Sequence, residues 1–376
     1  MFIKNHIVKN IVLLAVSIFT SLLIIEILLP FLKIKGIERF VFLRRMPIVQ
    51  YIYGEYKPIV EYTLRPNIKN AHLQYKDYTN YTFSTNKYGF RGADWDLAKN
   101  RRNVLVLGDS FAFGWGVNND QTFSYILNKE LEKKNPDFQV INLAQSGYFL
   151  DQVVNNFRLH RDLLHPEIVI YLYCYNDPLL HPKEINHKFD IKNYRAKITA
   201  ADFNEEARRN NVNIWRFERF YKSLYLYAFY RNYVVPLFVG QHTSSARNAW
   251  KQRYEFTYKN LSPPTPPSKP VPLNNEKKKY IWYGLKQIRK IAGNNCRIIL
   301  MDTSDKMLIH MPDSKKSDRW ILRDFARQYA NVTFVDFEST IRRKNDGVAR
   351  FLKIDDHWNV KGHKLAAKML LNAISN

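Results

Sequence analysis

Short apolar segments alternate with longer amphipathic segments along most of the chain, and this pattern predicts the fold. The short segments are rich in β-branched and aromatic residues and carry little charge, which is typical of buried strands in a parallel sheet. The predicted strands are 104–107, 138–143, 167–174, 297–301 and 332–335. The longer segments have the apolar spacing of helices, which we place at 123–134, 151–164, 276–292, 318–329 and 362–372. Asp151 is the predicted N-cap of the second helix.

The order of these elements predicts an α/β domain. Strands and helices that alternate through short links require right-handed crossovers, and the strands then form a parallel sheet. We therefore predict a three-layer α/β/α domain over residues 101–376, with a five-stranded parallel sheet. The alternation stops at about residues 179–275, which we interpret as an insertion. Its aromatic stretch, 213–238, would suit stacking on sugars, contact with a membrane or a helical subdomain that packs on its own rings.

An apolar segment at residues 11–32 precedes the domain and contains one charged residue, Glu26. A helix of this length rises roughly 33 Å, which is enough to cross the hydrocarbon core of a bilayer. No small-x-small cleavage site follows it, so we predict an uncleaved, single-pass membrane anchor rather than a signal peptide. The basic residues that follow the helix outnumber those before it, which by charge alone would keep the domain in the cytoplasm. We nevertheless expect the domain outside the cytoplasm, because of the substrate inferred below.

Residues 33–100 form a juxtamembrane segment that is rich in tyrosine. This content is unusual for a disordered linker, so we expect the segment to pack on the main domain or to form an interfacial belt. Gly89-Phe90-Arg91, near its end, is interpreted as part of a loop with a glycine turn that leads into the first strand.

The chain of 376 residues has a formal net charge of +24, from 58 basic and 34 acidic residues. Such a charge is compatible with nucleic acid, anionic lipid or an acidic polymer as a partner. The basic residues are scattered along the sequence, without a basic helix that interleaves aromatic residues, so we expect no nucleic-acid partner. The two cysteines, Cys174 and Cys296, each lie in or beside a predicted strand. Two buried free thiols are the expected state, and a single disulfide is the alternative.

Chemically suitable side chains occur where the predicted strands end. Ser110 follows the first strand, Gly147 the second and Asn176 the third, and His357 precedes the last helix. Because the carboxyl ends of parallel strands meet at one edge of a sheet, we expect these groups to lie close together. Each residue alone has an ordinary interpretation as a turn or capping residue. Four suitable types at successive positions are much harder to obtain by chance.

Four sequence blocks contain these residues, and together they resemble the SGNH (GDSL-like) hydrolase family. The blocks are Gly108-Asp109-Ser110, Asn142-Leu143-Ala144-Gln145-Ser146-Gly147, Asn176-Asp177 and Asp355-Asp356-His357. The resemblance covers roughly residues 100–376 apart from the insertion. The upstream Gly89-Phe90-Arg91 and the final His-Trp-Asn are similar to a membrane-anchored bacterial branch, whose members often act on cell-surface glycans. One position departs from the pattern, because many members have a glycine where this chain has Cys174.

The resemblance implies an SGNH/flavodoxin-like fold and a Ser-His-Asp mechanism. Ser110 is implied as the nucleophile, and His357 as the base that takes its proton. Asp355 is preferred as the carboxylate that holds the imidazole, with Asp356 as the alternative.

The resemblance also implies an oxyanion hole and two supporting residues. The backbone N–H groups of Ser110 and Gly147 and the side-chain amide of Asn176 would bind the oxyanion. Asp109 would orient the loop without belonging to the triad, and His363 on the last helix would be structural.

These observations make a membrane-anchored serine esterase the leading hypothesis, with an O-acetylated cell-surface carbohydrate or another ester as substrate. An O-acyltransferase that uses the same acyl-enzyme is one alternative, and a non-catalytic glycan-binding or assembly protein is another. The membrane would be a partner through the N-terminal helix. We expect no cofactor and no metal, because four histidines outside the blocks are not spaced with carboxylates as metal ligands are. These are His160, His165, His181 and His187.

Overall fold

The computed structural model describes residues 2–32, 49–75, 79–98, 101–178, 200–201, 203–204, 224–230, 275–304, 306, 318–343, 347–353 and 355–375. The predicted insertion therefore lies almost wholly outside the described residues, together with most of its aromatic stretch. The chain divides into two compact units, Met1–Met46 with Val212–Pro267 and Pro47–Asn211 with Ser268–Asn376. The second, larger unit contains the sheet.

The larger unit combines short hairpins with one parallel sheet and its helices. The elements of the chain in order are α1 (Phe2–Leu28), α2 (Val49–Tyr53), β1 (Gly54–Lys57), β2 (Glu61–Leu64), β3 (Ala71–Tyr75), β4 (Thr79–Phe83), β5 (Arg102–Leu107), α3 (Ser110–Phe113), α4 (Phe123–Lys134), β6 (Phe138–Asn142), α5 (Leu150–Leu164), β7 (Ile168–Tyr173), α6 (Tyr225–Phe229), α7 (Asn275–Ala292), β8 (Arg297–Asp302), α8 (Arg319–Ala326), β9 (Val332–Val335), α9 (Phe337–Arg342) and α10 (Val360–Ser375). Short 3₁₀ helices lie at Leu29–Leu32, Asn119–Gln121 and Gly347–Arg350. Of these elements, α1, Leu29–Leu32 and α6 belong to the smaller unit.

Five strands form a parallel sheet in the order β6-β5-β7-β8-β9, which confirms the predicted architecture. This is the flavodoxin-like strand order. The chain moves from β5 to β6 on one side and then returns to β7 on the other. A crevice therefore forms beyond the carboxyl end of β5, which is where open α/β sheets bind their ligands. Ser110 follows that strand end directly.

Helices cover both faces of the sheet, so the domain has the predicted three layers. Successive strand residues point to opposite faces, and Leu105, Val169 and Ile298 share one buried cluster with residues of α5, α7 and α8. The helices α4 and α10 pack against each other and against the edge strands β6 and β9, and their buried residues lie outside that cluster. Cys174 and Cys296 are buried free thiols, as expected.

The tyrosine-rich segment before the sheet forms two antiparallel hairpins, β1–β2 and β3–β4. Tyr62 on β2 and Tyr81 on β4 are buried, and the Tyr62 ring packs against Tyr148, which follows β6. These residues support packing on the main domain, one of the two alternatives for this segment. Neither hairpin is apparent from the hydrophobic pattern, because their strands are short and mix polar with apolar residues.

The start of α5 differs from the prediction. Its N-cap is Phe149, whose backbone N–H donates to Oε1 of Gln152 over 2.9 Å. The prediction that Asp151 is the N-cap is therefore wrong: the side chain of Gln152 caps Phe149, so the helix begins two residues earlier. Asp151 instead lies within that turn, is fully buried and accepts a hydrogen bond from the hydroxyl of Tyr280 over 3.2 Å.

The start of α10 also differs from the prediction, and lies at Val360 rather than Gly362. The side-chain oxygen of Asn359 accepts the backbone N–H groups of Lys361 over 2.9 Å and of Gly362 over 3.3 Å. Asparagine is a preferred N-cap, and its side chain satisfies donors that a helix leaves free at this end. The cap therefore allows the helix to begin earlier than its apolar spacing indicates.

The smaller unit contains the apolar N-terminal helix α1. The segment Lys9–Leu32 has a mean hydropathy of 2.7 and is long enough to cross a membrane, although a signal sequence would have the same properties. Glu26 accepts the backbone N–H groups of Tyr225 over 2.8 Å and of Leu226 over 2.7 Å, at the start of α6. These donors offset the cost of placing a carboxylate in an apolar helix.

Candidate active site

The turn after β5 presents Ser110 at the carboxyl edge of the sheet. Ser110 is the first residue of α3, and Asp109 is the N-cap of that helix. Oδ1 of Asp109 accepts the backbone N–H of Phe111 over 3.0 Å, and the whole Asp109 residue is buried. Because a buried carboxylate closes this turn, the backbone that carries Ser110 is held in one conformation.

His357 and Asp355 lie beside Ser110, although His357 is 247 residues away in sequence. The Nε2 atom of His357 is 2.7 Å from Oγ of Ser110. The Nδ1 atom of the same ring is hydrogen bonded to Oδ1 of Asp355, which also accepts the backbone N–H of His357 over 2.7 Å. Hydroxyl, imidazole and carboxylate thus form a continuous chain of hydrogen bonds. Such a chain can move a proton from a serine hydroxyl to an imidazole.

Aromatic side chains hold the His357 ring. Phe111 and Trp115, on the loop that begins with Ser110, lie 4.7 Å and 4.9 Å from it between ring centroids. The next residue, Trp358, is fully buried and donates its indole N–H to the carbonyl oxygen of Thr303 over 3.0 Å. The imidazole therefore has little freedom to turn away from the serine. The roles of Phe111 and Trp115 are not apparent from the sequence, because nothing in it indicates which residues approach His357.

Charges around His357 favour its protonated form. Burial by itself lowers the pKa of His357, but the charge and hydrogen bond of Asp355, aided by the charges of Asp109 and Asp356, raise the pKa above its usual value. Burial also raises the pKa of Asp109, although His357 and the N–H of Phe111 oppose this effect. An imidazole with a raised pKa accepts a proton more readily.

Gly147 lies in the loop after β6, and the β1–β2 hairpin contacts this loop. The hydroxyl of Tyr62 donates to the carbonyl oxygen of Ser146 over 2.7 Å, and that of Tyr148 donates to the carbonyl oxygen of Tyr62 over 2.6 Å. Gly147 has a φ of +86°, and a Cβ there would lie 3.0 Å from Oη of Tyr62 and 3.1 Å from Nε2 of Gln50. Helix α2, through Gln50, and the β1–β2 hairpin, through Tyr62, thus each bring a polar side chain to the loop. Neither contact is apparent from the sequence.

Asn176 lies in the turn after β7, at the same edge of the sheet. Asp177 closes this turn, because its Oδ2 atom accepts the hydroxyl of Tyr171 over 2.5 Å and the backbone N–H of Cys174 over 3.1 Å. Burial and the charges of Asp109 and Asp177 raise the pKa of the Cys174 thiol well above its usual value. Cys174 therefore stays protonated in this turn. This is the position at which many members of the family resembled in sequence have glycine. Oδ1 of Asn176 is buried without a hydrogen-bond partner among the described residues.

Arg91 holds the loop that follows Ser110. Its guanidinium donates to the carbonyl oxygens of Phe113 (3.2 Å), Gly114 (2.5 Å) and Val117 (2.5 Å), and to Oδ1 of Asn119 (2.8 Å). Burial lowers the pKa of Arg91 to about 10, so the group stays charged at neutral pH. The motif Gly89-Phe90-Arg91 is visible in the sequence, whereas this function of its arginine is not.

Replacing Arg91 with methionine is expected to lower the free energy of unfolding by about 2–4 kcal/mol. The buried carbonyl groups of the loop lose a charged donor, and the uncharged side chain cannot replace it. Thermal unfolding followed by circular dichroism measures the effect. Arg343→Met, at an exposed arginine after α9, is the control and should change the midpoint little. Equal midpoints for the two variants would contradict the role given to Arg91.

Of the histidines outside the candidate site, the structure describes His160, His165 and His363 along with others nearer the N-terminus. Among the residues that the structure describes, no three His, Cys, Asp or Glu side chains lie close enough together to hold a metal ion. His363 is buried and its Nδ1 atom accepts the backbone N–H of Phe123 over 3.2 Å. Burial lowers the pKa of His363 to about 3, so its ring is neutral. His181 and His187 lie outside the described residues.

Comparison with known proteins finds similarity in backbone only. No protein-family model matches the chain. No curated protein matches it. Solved structures with a similar backbone include a lipase/acylhydrolase from Enterococcus faecalis, which is 9% identical with a TM-score of 0.38, the match covering 73% of this chain and 95% of that chain. A catalytic mutant of an acetylxylan esterase from Geobacillus stearothermophilus is 14% identical with a TM-score of 0.37, over 75% of this chain and 97% of that chain. Similarities of this size do not by themselves indicate a substrate or an activity.

Proposed function

We propose that the chain is a membrane-anchored serine esterase that removes O-acetyl groups from a cell-surface carbohydrate. The observation that carries the proposal is the 2.7 Å contact between Oγ of Ser110 and Nε2 of His357, with Asp355 on the other ring nitrogen. A protein that only binds a glycan has no need of this chain of hydrogen bonds. The contact therefore favours catalysis over the non-catalytic alternative.

In the proposed reaction, Oγ of Ser110 attacks the carbonyl carbon of the ester while His357 takes the hydroxyl proton at Nε2. Asp355 stabilises the imidazolium that results. The imidazolium then gives the proton to the departing sugar oxygen, and an acyl-enzyme remains on Ser110. Water, activated by the same imidazole, attacks the acyl-enzyme and releases the carboxylic acid.

Hydrogen-bond donors must stabilise the negative charge that develops on the carbonyl oxygen of the ester, and they must lie at the carboxyl edge of the sheet beside Ser110. We assign this role to the backbone N–H groups of Ser110 and Gly147 and to the side-chain amide of Asn176. All three follow parallel strands whose carboxyl ends meet there. Loss of one such donor is expected to slow the reaction about 10²–10³-fold.

The N-terminal helix is assigned as the membrane anchor. Its length and apolar character support this role. The domain would lie outside the cytoplasm, since that is where a cell-surface carbohydrate is found. A phosphatase fused after Asn376 is expected to be active in whole cells, and activity only after lysis would contradict this orientation.

Covalent labelling tests the proposed chemistry. The full chain in neutral detergent is incubated with p-nitrophenyl acetate to measure hydrolysis, and with a fluorophosphonate that reacts with activated serines. We expect turnover, and mass spectrometry should find the phosphonate on the peptide that contains Ser110. A folded protein that neither hydrolyses the ester nor reacts at Ser110 would overturn the proposal. Acetylation of an added oligosaccharide, in place of acetate release, would identify an acyltransferase that uses the same acyl-enzyme.

A further inference from the structure

One face of α7 carries basic and aromatic side chains that the proposed reaction does not use. The opposite face of the helix is buried against the sheet layer and includes Ile281, Leu285 and Ile288. The outer residues line a depression of about 340 Å³, which we call the α7 patch. It consists of Lys278, Lys279, Trp282, Tyr283 and Lys286.

Burial differs between the aromatic and the basic side chains of the α7 patch. Trp282 and Tyr283 are half-buried, and the Trp282 ring packs edge-on against Phe325 of α8, with 5.2 Å between centroids. The three lysines are exposed. The patch thus combines partly buried rings with exposed positive charges, and its lining among the residues that the structure describes contains no carboxylate.

The α7 patch begins close to the edge of the sheet where Ser110 lies. A helix that connects two parallel strands starts at the carboxyl edge of the sheet, and α7 leads into β8. Two contacts fix its first turns against the start of α5, the helix that follows the loop of Gly147. Tyr280 donates its hydroxyl to Asp151, and a Cβ on Gly284 would lie 2.4 Å from Cδ2 of Leu150. These contacts use the buried face of α7, so the patch lies on the outer face of the same first turns.

We propose that the α7 patch binds an acidic polysaccharide that is the substrate of the candidate active site. Ammonium groups attract the carboxylates of such a polymer, and flat aromatic rings pack on the apolar faces of sugar rings. A lipid surface is a poorer fit, because aromatic residues at a membrane interface project from the protein, whereas these are half-buried in a depression. The inference rests on the proposed function and narrows its substrate to uronic-acid-containing glycans that carry O-acetyl groups.

A binding experiment tests the inference without requiring turnover. The full chain in neutral detergent is titrated with oligogalacturonate and, separately, with a neutral xylo-oligosaccharide of the same length. The patch variant is Lys278→Gln, Lys279→Gln and Lys286→Gln combined. The control variant removes the same charge from exposed lysines of α10 and combines Lys361→Gln, Lys364→Gln and Lys368→Gln.

We expect oligogalacturonate to bind more tightly than the neutral oligosaccharide, and the patch variant to weaken its binding roughly ten- to thirtyfold. The control variant should weaken it less than about twofold, because its lysines lie on another helix. The difference in affinity for oligogalacturonate between the patch and control variants should decrease as salt is added, because added ions screen exposed charges. Equal affinities of the two variants for oligogalacturonate would overturn the inference.

Two further ligands test whether the α7 patch binds nucleic acid or lipid instead of an acidic polysaccharide. Oligothymidylate and the short-chain lipid dihexanoylphosphatidylglycerol carry phosphates instead of carboxylates. If either binds more tightly than oligogalacturonate and loses affinity in the patch variant, the α7 patch recognises nucleic acid or lipid and the inference is wrong. Failure of this inference can be distinguished from failure of the proposed function, because the two are tested by different measurements. Ser110→Ala tests the esterase by turnover, whereas the lysine variants test the patch by affinity.

Discussion

Ser110→Ala is expected to lower the turnover of p-nitrophenyl acetate about 10³–10⁶-fold and to leave the fold intact. The variant lacks the only atom that can form the proposed acyl-enzyme, so His357 has no hydroxyl to activate. The remaining rate would come from water attack helped by the oxyanion donors. Ser110 is 8% exposed and its backbone is held by Asp109, so loss of one oxygen should change the thermal midpoint little.

Ser84→Ala provides the matched control for this prediction. Ser84 follows β4, outside the sheet, and its hydroxyl accepts the backbone N–H of Asn70 over 2.9 Å. The same chemical change there should keep turnover within a few-fold of the unchanged protein. If Ser110→Ala retains turnover comparable to that of Ser84→Ala, then Ser110 is not the nucleophile. The 2.7 Å contact with His357 would then be a structural hydrogen bond.

Asp355→Asn is expected to lower kcat about 10³–10⁴-fold and to move the acidic limb of the pH profile to lower pH. His357 acts as a base only when neutral, so kcat/KM rises as the pH passes upward through its pKa. The Asp355 charge raises that pKa. Removing the charge lowers the pKa, and the acidic limb follows it downward. The maximal rate falls as well, because the imidazolium loses its stabilising charge and asparagine can select the wrong ring tautomer.

Asp356→Asn is the control for Asp355→Asn, since the two residues are adjacent and both are buried. The charge of Asp356 also raises the pKa of His357, but it is the smaller contribution. We expect this variant to shift the acidic limb in the same direction by a smaller amount and to lower kcat by less than about tenfold. A larger loss in Asp356→Asn than in Asp355→Asn would make Asp356 the functional carboxylate. The pH dependence of kcat/KM for both variants decides between them.

The strands of the sheet could be predicted closely because each is an apolar run that the fold buries on both faces. The predicted strand 332–335 and helix 123–134 have the observed bounds. Ends of helices were less predictable, because they depend on which side chain completes the first turn. Gln152 does so for α5, and it displaced Asp151 from the position that its residue type favours.

The candidate site could be located from residue types, since a serine, a glycine and an asparagine each follow a predicted strand. Its surroundings could not, because they come from segments with no periodic pattern. Arg91, Tyr62 and Gln50 reach the site from the tyrosine-rich segment before the sheet. The residues around Arg91 in the sequence do not indicate which distant backbone carbonyl groups will accept hydrogen bonds from its guanidinium.

Sequence alone therefore determined the succession of strands and helices, the apolar N-terminal helix and the residues proposed for catalysis. These features depend on local periodicity and on residue chemistry, and both can be recognised from the sequence without knowledge of the fold. Only the tertiary structure decided the order of the strands, the contacts of Arg91 and Tyr62 with the loops of the candidate site and the packing of α7 against the start of α5. Each of these depends on close packing between segments far apart in sequence, such as α7 against the start of α5, and such packing is settled only when the whole core forms.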